Sequence, residues 1–343
     1  MSLRARTALA VASALLGVLL LLPALAQTDR PTDNGPVRIQ IKAEPIDAFQ
    51  PGERGRVRFG PLAFRGGLQL TSSYKAFGGL SALRLFADGA NFISLSDKGR
   101  WLKGRIAYAN GRPIGIDDAE MAPILGPDGR PLAARGWYDT ESIAVDGGTL
   151  YVGIERVNRI VRLDYGRSGL LAHGQPIAIP AGISSLPHNR GLECLDFIPR
   201  SMPAGGTLVA ISERGLDSAG NLRGFLIGGK TPGEFSVARH DDFDVSDCAV
   251  LPDRELMLLE RRFNWTSGIA MRLRRIPLQT LAPDAIVDGK QILTADMGYQ
   301  IDNMEGLSVH RSSAGEVLLT MVSDDNFSLL QRTILLQFAL IGE

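Results

Sequence analysis

Five short segments of the sequence join an acidic or polar residue to an alternating apolar run. They are Gly79-Leu80-Ser81-Ala82-Leu83, Asp139-Thr140-Glu141-Ser142-Ile143, Gly191-Leu192-Glu193-Cys194-Leu195, Val245-Ser246-Asp247-Cys248-Ala249 and Asn303-Met304-Glu305-Gly306-Leu307. Their middle residues are spaced by 60, 52, 54 and 58 positions. Each segment precedes a second strand-like run (residues 92–97, 150–155, 208–213, 256–260 and 317–324), and these runs end in Asp97, Glu155, Glu213, Glu260 and Asp324. With Asp325 and Asn326, Asp324 forms the densest group of oxygen ligands in the chain. Carboxylates held on neighbouring strands repel one another. One or more Ca²⁺ ions would relieve that repulsion through oxygen coordination, and could then polarise a phosphate or ester oxygen or activate water. Internal ion pairs would also relieve it. Lys98, Arg156, Arg214 and Arg261 directly follow second-run acids, and pairing through them would leave a scaffold that binds a ligand or partner without catalysis.

The elements that position these acids follow from the same spacing. Residues opposite each other in a hairpin are symmetric about its turn. Ser81 and Asp97 centre on Gly89, and Glu141 and Glu155 centre on Gly148. Asp247 with Glu260 centres beside Pro252-Asp253-Arg254, and Glu305 with Asp324 beside Ala314-Gly315. Glu193 and Glu213 need a wider loop, which residues 199–206 supply. The start of one strand thus meets the end of the next at one edge of every unit. Third and fourth strand-like runs follow in the first four units, at 101–108 and 114–124, 158–164 and 175–180, 222–227 and 234–239, and 269–277 and 291–294. The last unit has only 332–340, and 62–72 near the N-terminus can supply its missing strand. The expected fold is an all-β propeller of five four-stranded blades, closed by pairing N- and C-terminal strands. Six blades are the alternative if residues 37–59 contribute more. All the acids would then gather at one mouth of the central channel. Asp97, Glu141, Glu155, Glu193, Glu213, Asp247, Glu260, Glu305, Asp324 and Asp325 are the candidate metal ligands.

The first 26 residues read as a signal peptide. Arg4 and Arg6 precede the apolar run 8–22, and Pro23-Ala24-Leu25-Ala26 ends in a small–x–small cleavage pattern. Export to the periplasm or medium follows, with no membrane span in the mature chain. Residues 27–56 read as a tether carrying one short strand at 37–41, and 57–343 as the propeller domain. Lys+Arg and Asp+Glu both number 37, which leaves no basic excess for a nucleic acid. With hydrophobic residues at 45%, the chain can bury a sizeable core. A monomer acting on a small-molecule ester or phosphoester is the expected state. There is no Gly-x-Ser-x-Gly elbow, His-Glu-x-x-His or Cys-x-x-Cys, so serine-esterase and ordinary zinc chemistry are not indicated. His188 stands close enough to an inner-strand motif to overhang the mouth, and Arg190 beside it could hold an anion. Glu141, Glu193 and Glu305 complete the candidate catalytic set. Cys194 and Cys248 each follow the segment acid in consecutive units. Equivalent positions of neighbouring blades should lie beyond the ~7 Å reach of a disulfide, so the two are expected to be free thiols.

Several ordered motifs carry a family resemblance. Gly78-Gly79-Leu80-Ser81, Ser96-Asp97-Lys98-Gly99, Glu141-Ser142, Asn189-Arg190-Gly191-Leu192-Glu193, Ile211-Ser212-Glu213, Leu259-Glu260-Arg261-Arg262-Phe263, Asp302-Asn303-Met304-Glu305-Gly306 and Ser323-Asp324-Asp325-Asn326-Phe327 resemble the phytase-like family, "esterase-like activity of phytase". The resemblance spans about residues 60–340. It implies a secreted, acid-rich propeller-type domain and a phosphoester or ester hydrolase activity. The Asp-Ala-Asp-Asp-Pro-Ala type motif of the β-propeller phytases is absent.

Overall fold

The computed structural model describes residues 35–312 and 314–342. The expected signal peptide lies outside the described residues. Alternating apolar runs between tight turns form five antiparallel blades. The first blade runs outward from Leu80–Leu85 through Asn91–Ser96 and Arg100–Ala109 to Arg112–Pro123. The second comprises Thr140–Asp146, Thr149–Ile154, Arg159–Asp164 and the two-residue Gln175–Pro176. Its first turn is the two-residue Gly147-Gly148 link between Asp146 and Thr149, with Gly147 at φ 59°. That left-handed start is what a tight hairpin link demands and glycine supplies. Leu192–Phe197, Thr207–Leu216, Leu222–Gly228 and Gly233–Val237 make the third blade, with Ile286–Val287 added in parallel at its edge. Asp244–Val250, Glu255–Asn264, Gly268–Pro277 and Lys290–Ala295 make the fourth.

The fifth blade closes the ring. Asn303–Arg311, Val317–Asp324 and Thr333–Leu340 come from the C-terminus, and Leu62–Thr71 from the N-terminus pairs antiparallel with Thr333–Leu340. The expected closure is therefore present, and its register runs from Thr333 opposite Leu70 to Leu340 opposite Leu62. Sharing a blade between chain ends ties the ring shut without leaving either strand as an open edge. The five innermost strands neighbour one another in sequence order, and the last neighbours the first.

Residues 35–56 correct the tether expectation. Val37–Arg38 pairs with the outer strand of the first blade, and Lys42–Ile46 pairs with Leu62–Thr71. Phe49 is fully buried against Phe59 and Phe338, with ring centroids 5.0 and 4.9 Å away. This segment thickens two blades and adds no sixth. Its apolar residues are too few to show periodicity, which is why a short edge strand there reads as linker.

The register near the mouth departs from simple opposition. In every blade the innermost strand carries a β-bulge, at Ser81, Glu141, Glu193, Ser246 and Glu305. A bulge leaves one residue unpaired and re-aims its side chain. In the fourth blade the bulged residue is Ser246, one position before the Asp247 aligned by sequence. The second strand shifts in step, so Arg261 takes the place held elsewhere by Asp97, Glu155, Glu213 and Asp324.

Asp247 is consequently absent from the mouth. It lies fully buried in the channel against Arg84 of the first blade, whose Nη1 and Nη2 donate to its carboxylate at 2.9 and 3.1 Å. Burial pushes the Asp247 carboxyl up to about 6, against the pull of Arg84 and of the Leu307 and Cys248 N–H groups. Glu260 is absent too. Its side chain is fully buried and accepts from Arg272 Nε at 2.7 Å and Arg274 Nη2 at 2.6 Å.

The same one-residue offset corrects the cysteines. Cys194 lies one residue after its bulge and Cys248 two residues after, so they are not equivalent positions. Their Cα atoms approach to 5.1 Å and the two form a disulfide between the third and fourth blades. Near the axis neighbouring inner strands are close enough for this bond. Closing a span of 54 residues should stabilise the fold by about 2–4 kcal/mol on a chain-entropy account. Replacing both cysteines by serine should therefore lower the urea midpoint and, because the uncrosslinked denatured chain is more expanded, raise the denaturant slope. Alkylation of unreduced, denatured protein should modify neither residue, and recovery of two free thiols would reject the bond.

Candidate functional site

The bulges turn Glu141, Glu193 and Glu305 into the channel mouth, where the ends of the second strands deliver Asp97, Glu155, Glu213 and Asp324. With Asp139, Asn189, Arg261 and Asn326 they line a pit of about 220 Å³. Among the described residues, Arg261 is the one basic side chain in that lining. Its Nη2 lies 3.1 Å from Glu213 and 3.3 Å from Glu305. Asn303 donates to Glu305 Oε1 at 2.7 Å. Glu155 Oε1 accepts from the Gly191 N–H at 2.7 Å. A side chain at Gly191 would bring its Cβ within 2.6 Å of Glu155 Cγ, so glycine is needed for that approach.

Eight carboxylates facing one guanidinium leave a large negative excess. Burial, reinforced by neighbouring acids, raises the Glu141 and Glu193 carboxyls well above the ordinary range. Burial likewise pushes Glu155 up to about 7 and Asp324 up to about 8, with Glu213 and Asp139 adding repulsion at the former and Glu305 and Asp97 at the latter. Glu305 and Glu213 rise for the same reason, although Arg261 pulls both back. The pit therefore holds protons near neutral pH or takes up a cation in their place.

The donor set fits a hard cation. Among the described residues, Glu155, Glu193 and Glu213 each offer a carboxylate oxygen, and the three oxygens lie within 4.8 Å of one another. Glu193 Oε2 is buried without a hydrogen-bond partner. Oxygen-only ligands of this kind suit Ca²⁺, whereas zinc favours nitrogen and sulfur.

Seven of the candidates from the sequence meet in the pit: Asp97, Glu141, Glu155, Glu193, Glu213, Glu305 and Asp324. Asp325 stands beside it, accepting from Gly79 N at 2.9 Å and Thr333 Oγ1 at 3.0 Å, and so fastens the fifth blade to the first. His188 is exposed and lies outside the lining. Arg190 is exposed as well, and its charge partly offsets the rise at Glu213. Of the expected pairing residues, Arg156 stacks over Tyr138, 4.3 Å from its centroid, and Arg214 bonds to Asp244 at 2.8 Å. Lys98 reaches Asp97 from the rim at 2.7 Å. The sequence names Asn326 with Asp324 and Asp325 as an oxygen-ligand group, whereas Asp139 and Asn189 are not singled out as ligands. Asp139, Asn189 and Asn326 all take left-handed backbone, at φ 61°, 53° and 47°, and a polar residue two before a bulge, or in the adjoining turn, was the available signal.

Comparison with known families supplies the deciding match: the family model described as "Esterase-like activity of phytase" covers residues 75–327. The chain belongs to the phytase-like family. Among curated proteins no relative matches. Similar solved structures include the N-terminal domain of Nup159, at 11% identity over 82% of this phytase-like chain and 96% of that one, with a TM-score of 0.38. Another is glutaminyl cyclase of Myxococcus xanthus, at 12% identity over 77% and 92%, TM-score 0.39. A third is the PQQ-bound aldose sugar dehydrogenase of Streptomyces coelicolor, at 15% identity over 89% and 99%, TM-score 0.40. Likeness at this level bears on no functional argument.

The raised carboxyls set a pH dependence. Glu155 moves from 4.5 to about 7 and Asp324 from 3.8 to about 8, so between pH 4 and these values the folded chain binds more protons than the unfolded one. Stability then falls as pH rises through that window. In chelator, the melting temperature should drop by roughly 5 °C or more between pH 5 and pH 8.5. Asp324→Asn should flatten the drop, and saturating Ca²⁺ should remove most of it. A melting temperature that stays level or climbs in chelator would refute the charge assignment.

Proposed function

We propose that this phytase-like propeller is an exported hydrolase of phosphate or carboxylate esters whose pit holds a Ca²⁺-like cation. The observation that carries the reading is the convergence of Glu155, Glu193 and Glu213 on one point, in a buried pit with a single arginine. Those three carboxylates would hold the ion. A divalent cation there would polarise an ester oxygen and let an anionic substrate enter an anionic pit. Arg261, steadied by Glu213 and Glu305, is placed to donate to a substrate oxyanion. Asp324 lines the same pit and is a carboxyl placed to exchange a proton with the leaving group, its raised value falling as a cation binds. Glu141, raised well above its ordinary value by burial and neighbouring acids before a cation binds, is a second carboxyl that can carry a proton. Glu305 acts through Arg261 as a positioning residue.

Export is supported by the leader-like first 26 residues and by the Cys194–Cys248 disulfide, since such bonds persist in oxidising compartments. No helix of the described residues is long and apolar enough to cross a membrane. Mass spectrometry of the mature protein should find Gln27 as its first residue, and an intact N-terminus would reject cleavage.

A non-catalytic binding module is the second reading. It is favoured by the ion pairs at Lys98–Asp97 and Arg261–Glu305, which already neutralise part of the ring. Turnover separates the two. Calorimetry should detect calcium binding to the wild type, and Glu193→Gln should weaken it at least tenfold, while the exposed control Glu53→Gln leaves it unchanged. Hydrolysis of aryl phosphate or aryl acetate should require calcium and disappear in chelator and in Glu193→Gln. Binding without turnover would favour the module, and absence of calcium heat would reject the metal site.

A further inference from the structure

The mouth is asymmetric in a way the carboxylates alone do not explain. Glu155, Glu193 and Glu213 come from the second and third blades, whereas the segments that run on from Arg261 in the fourth and Asn326 in the fifth carry exposed apolar side chains. The hairpin continues past the pit-lining Arg261 for three more paired residues, to Asn264 opposite Gly268. It carries Phe263, 58% exposed, and Trp265, 93% exposed, with ring centroids 5.1 Å apart. Met297, 63% exposed, lies against Gly268 at the turn end of that hairpin. In the fifth blade the loop after Asp324 holds Leu329 at 104% and Leu330 at 94% exposure. Phe327 in that loop touches the Gly79 and Asp97 corner of the pit.

Trp265, Leu329 and Leu330 are the most exposed large apolar side chains among the described residues, and all three lie within four residues of a pit-lining residue, Arg261 or Asn326. Scattered surface leucines carry no meaning singly. Two loops from adjacent blades, each continuing from a residue that lines one charged pit, do. We infer that the ligand of this site is an amphiphile: an ester or phosphoester whose oxygen-rich head enters the pit beside Arg261 and whose apolar group lies across the fourth and fifth blades. Charge complementarity assigns the head, because cation and Arg261 favour an anionic or strongly polar oxygen. The collar then selects an apolar tail over a purely hydrophilic polyphosphate. The inference rests on the proposed cation-holding pit for the placement of the head.

Trp265 reports on the tail without any turnover, because Trp101 is buried and Trp137 only partly exposed. With calcium present, dodecyl phosphate below its micelle concentration should shift the tryptophan emission to the blue and bind at least tenfold tighter than inorganic phosphate. Calorimetric competition measures the latter. Each methylene laid on the collar contributes up to about fourfold, so decyl and octyl phosphate should follow in order. Leu329→Ala with Leu330→Ala should abolish that order and leave phosphate affinity unchanged. Trp265→Phe should erase the optical signal while calorimetry still ranks the ligands by chain length. Equal binding of dodecyl phosphate and phosphate would overturn the collar and spare the pit. Chain-length dependence that survives chelator and Glu193→Gln would overturn the pit and, with it, the assignment of the head. Binding to neutral phosphatidylcholine vesicles, unaffected by calcium, would mean that the collar meets a membrane surface and would overturn the inference as well.

Discussion

The propeller is organised around one arginine. Arg84 extends from the innermost strand of the first blade into the channel, where its guanidinium pairs with Asp247 of the fourth. It also donates to the carbonyls of Leu195, Cys248 and Leu307 at 2.9, 3.0 and 2.6 Å. One side chain thus joins the first, third, fourth and fifth blades across the axis. Removing one partner of such a buried pair typically costs about 3–5 kcal/mol, because the other charge is stranded. Asp247 is further held by the Leu307 N–H at 2.7 Å. Asp247 and Arg84 lie one and three residues along the inner strands from the bulges at Ser246 and Ser81, and their pair bridges blades on opposite sides of the axis.

Comparison of the buried acids separates the mouth from the other clusters. Asp247 has Arg84, and Glu260 has Arg272 and Arg274. Each is buried, and each is matched by as much positive charge as it brings. The mouth breaks that rule, with eight acids around Arg261. Native folds leave such imbalance where something else supplies the missing charge, and perturbed carboxyls therefore cluster at functional sites. Acidity alone would not have made the distinction. Compensation does.

Much of the architecture was legible because it rests on spacing. Recurrence at 52 to 60 residues, and the absence of a fourth strand after 332–340, gave the blade count and the closing partner, as strand periodicity and edge protection require. The errors share one cause. Opposition about a turn assumes an unbroken ladder, and a bulge breaks it by one residue. In the first, second, third and fifth blades the chosen residue was itself the bulged one, so the slip did not show. In the fourth, Asp247 next to Ser246 offered a carboxylate at the wrong position. Glu260 beside Arg261 repeated the error on the second strand, and Cys194 with Cys248 inherited it. Residues 35–56 were misread for a different reason, since two short edge strands and one buried Phe49 carry no period to detect.

The displaced register of the fourth blade also shapes the chemistry. Had Glu260 faced the mouth, the second strands would have presented five acids and no base, and Glu213 and Glu305 would have lacked their shared partner. With Arg261 there instead, the ring acquires a polar axis: three converging carboxylates on the second and third blades, and a guanidinium on the fourth. A ring of identical charges can hold an ion but cannot orient a ligand around it. An arginine fixed at one point of the ring supplies direction, because its planar fork favours a bound oxyanion on one side. The same one-residue shift that buries Glu260 between two arginines therefore gives an otherwise uniform acidic mouth the asymmetry that positioning a substrate requires.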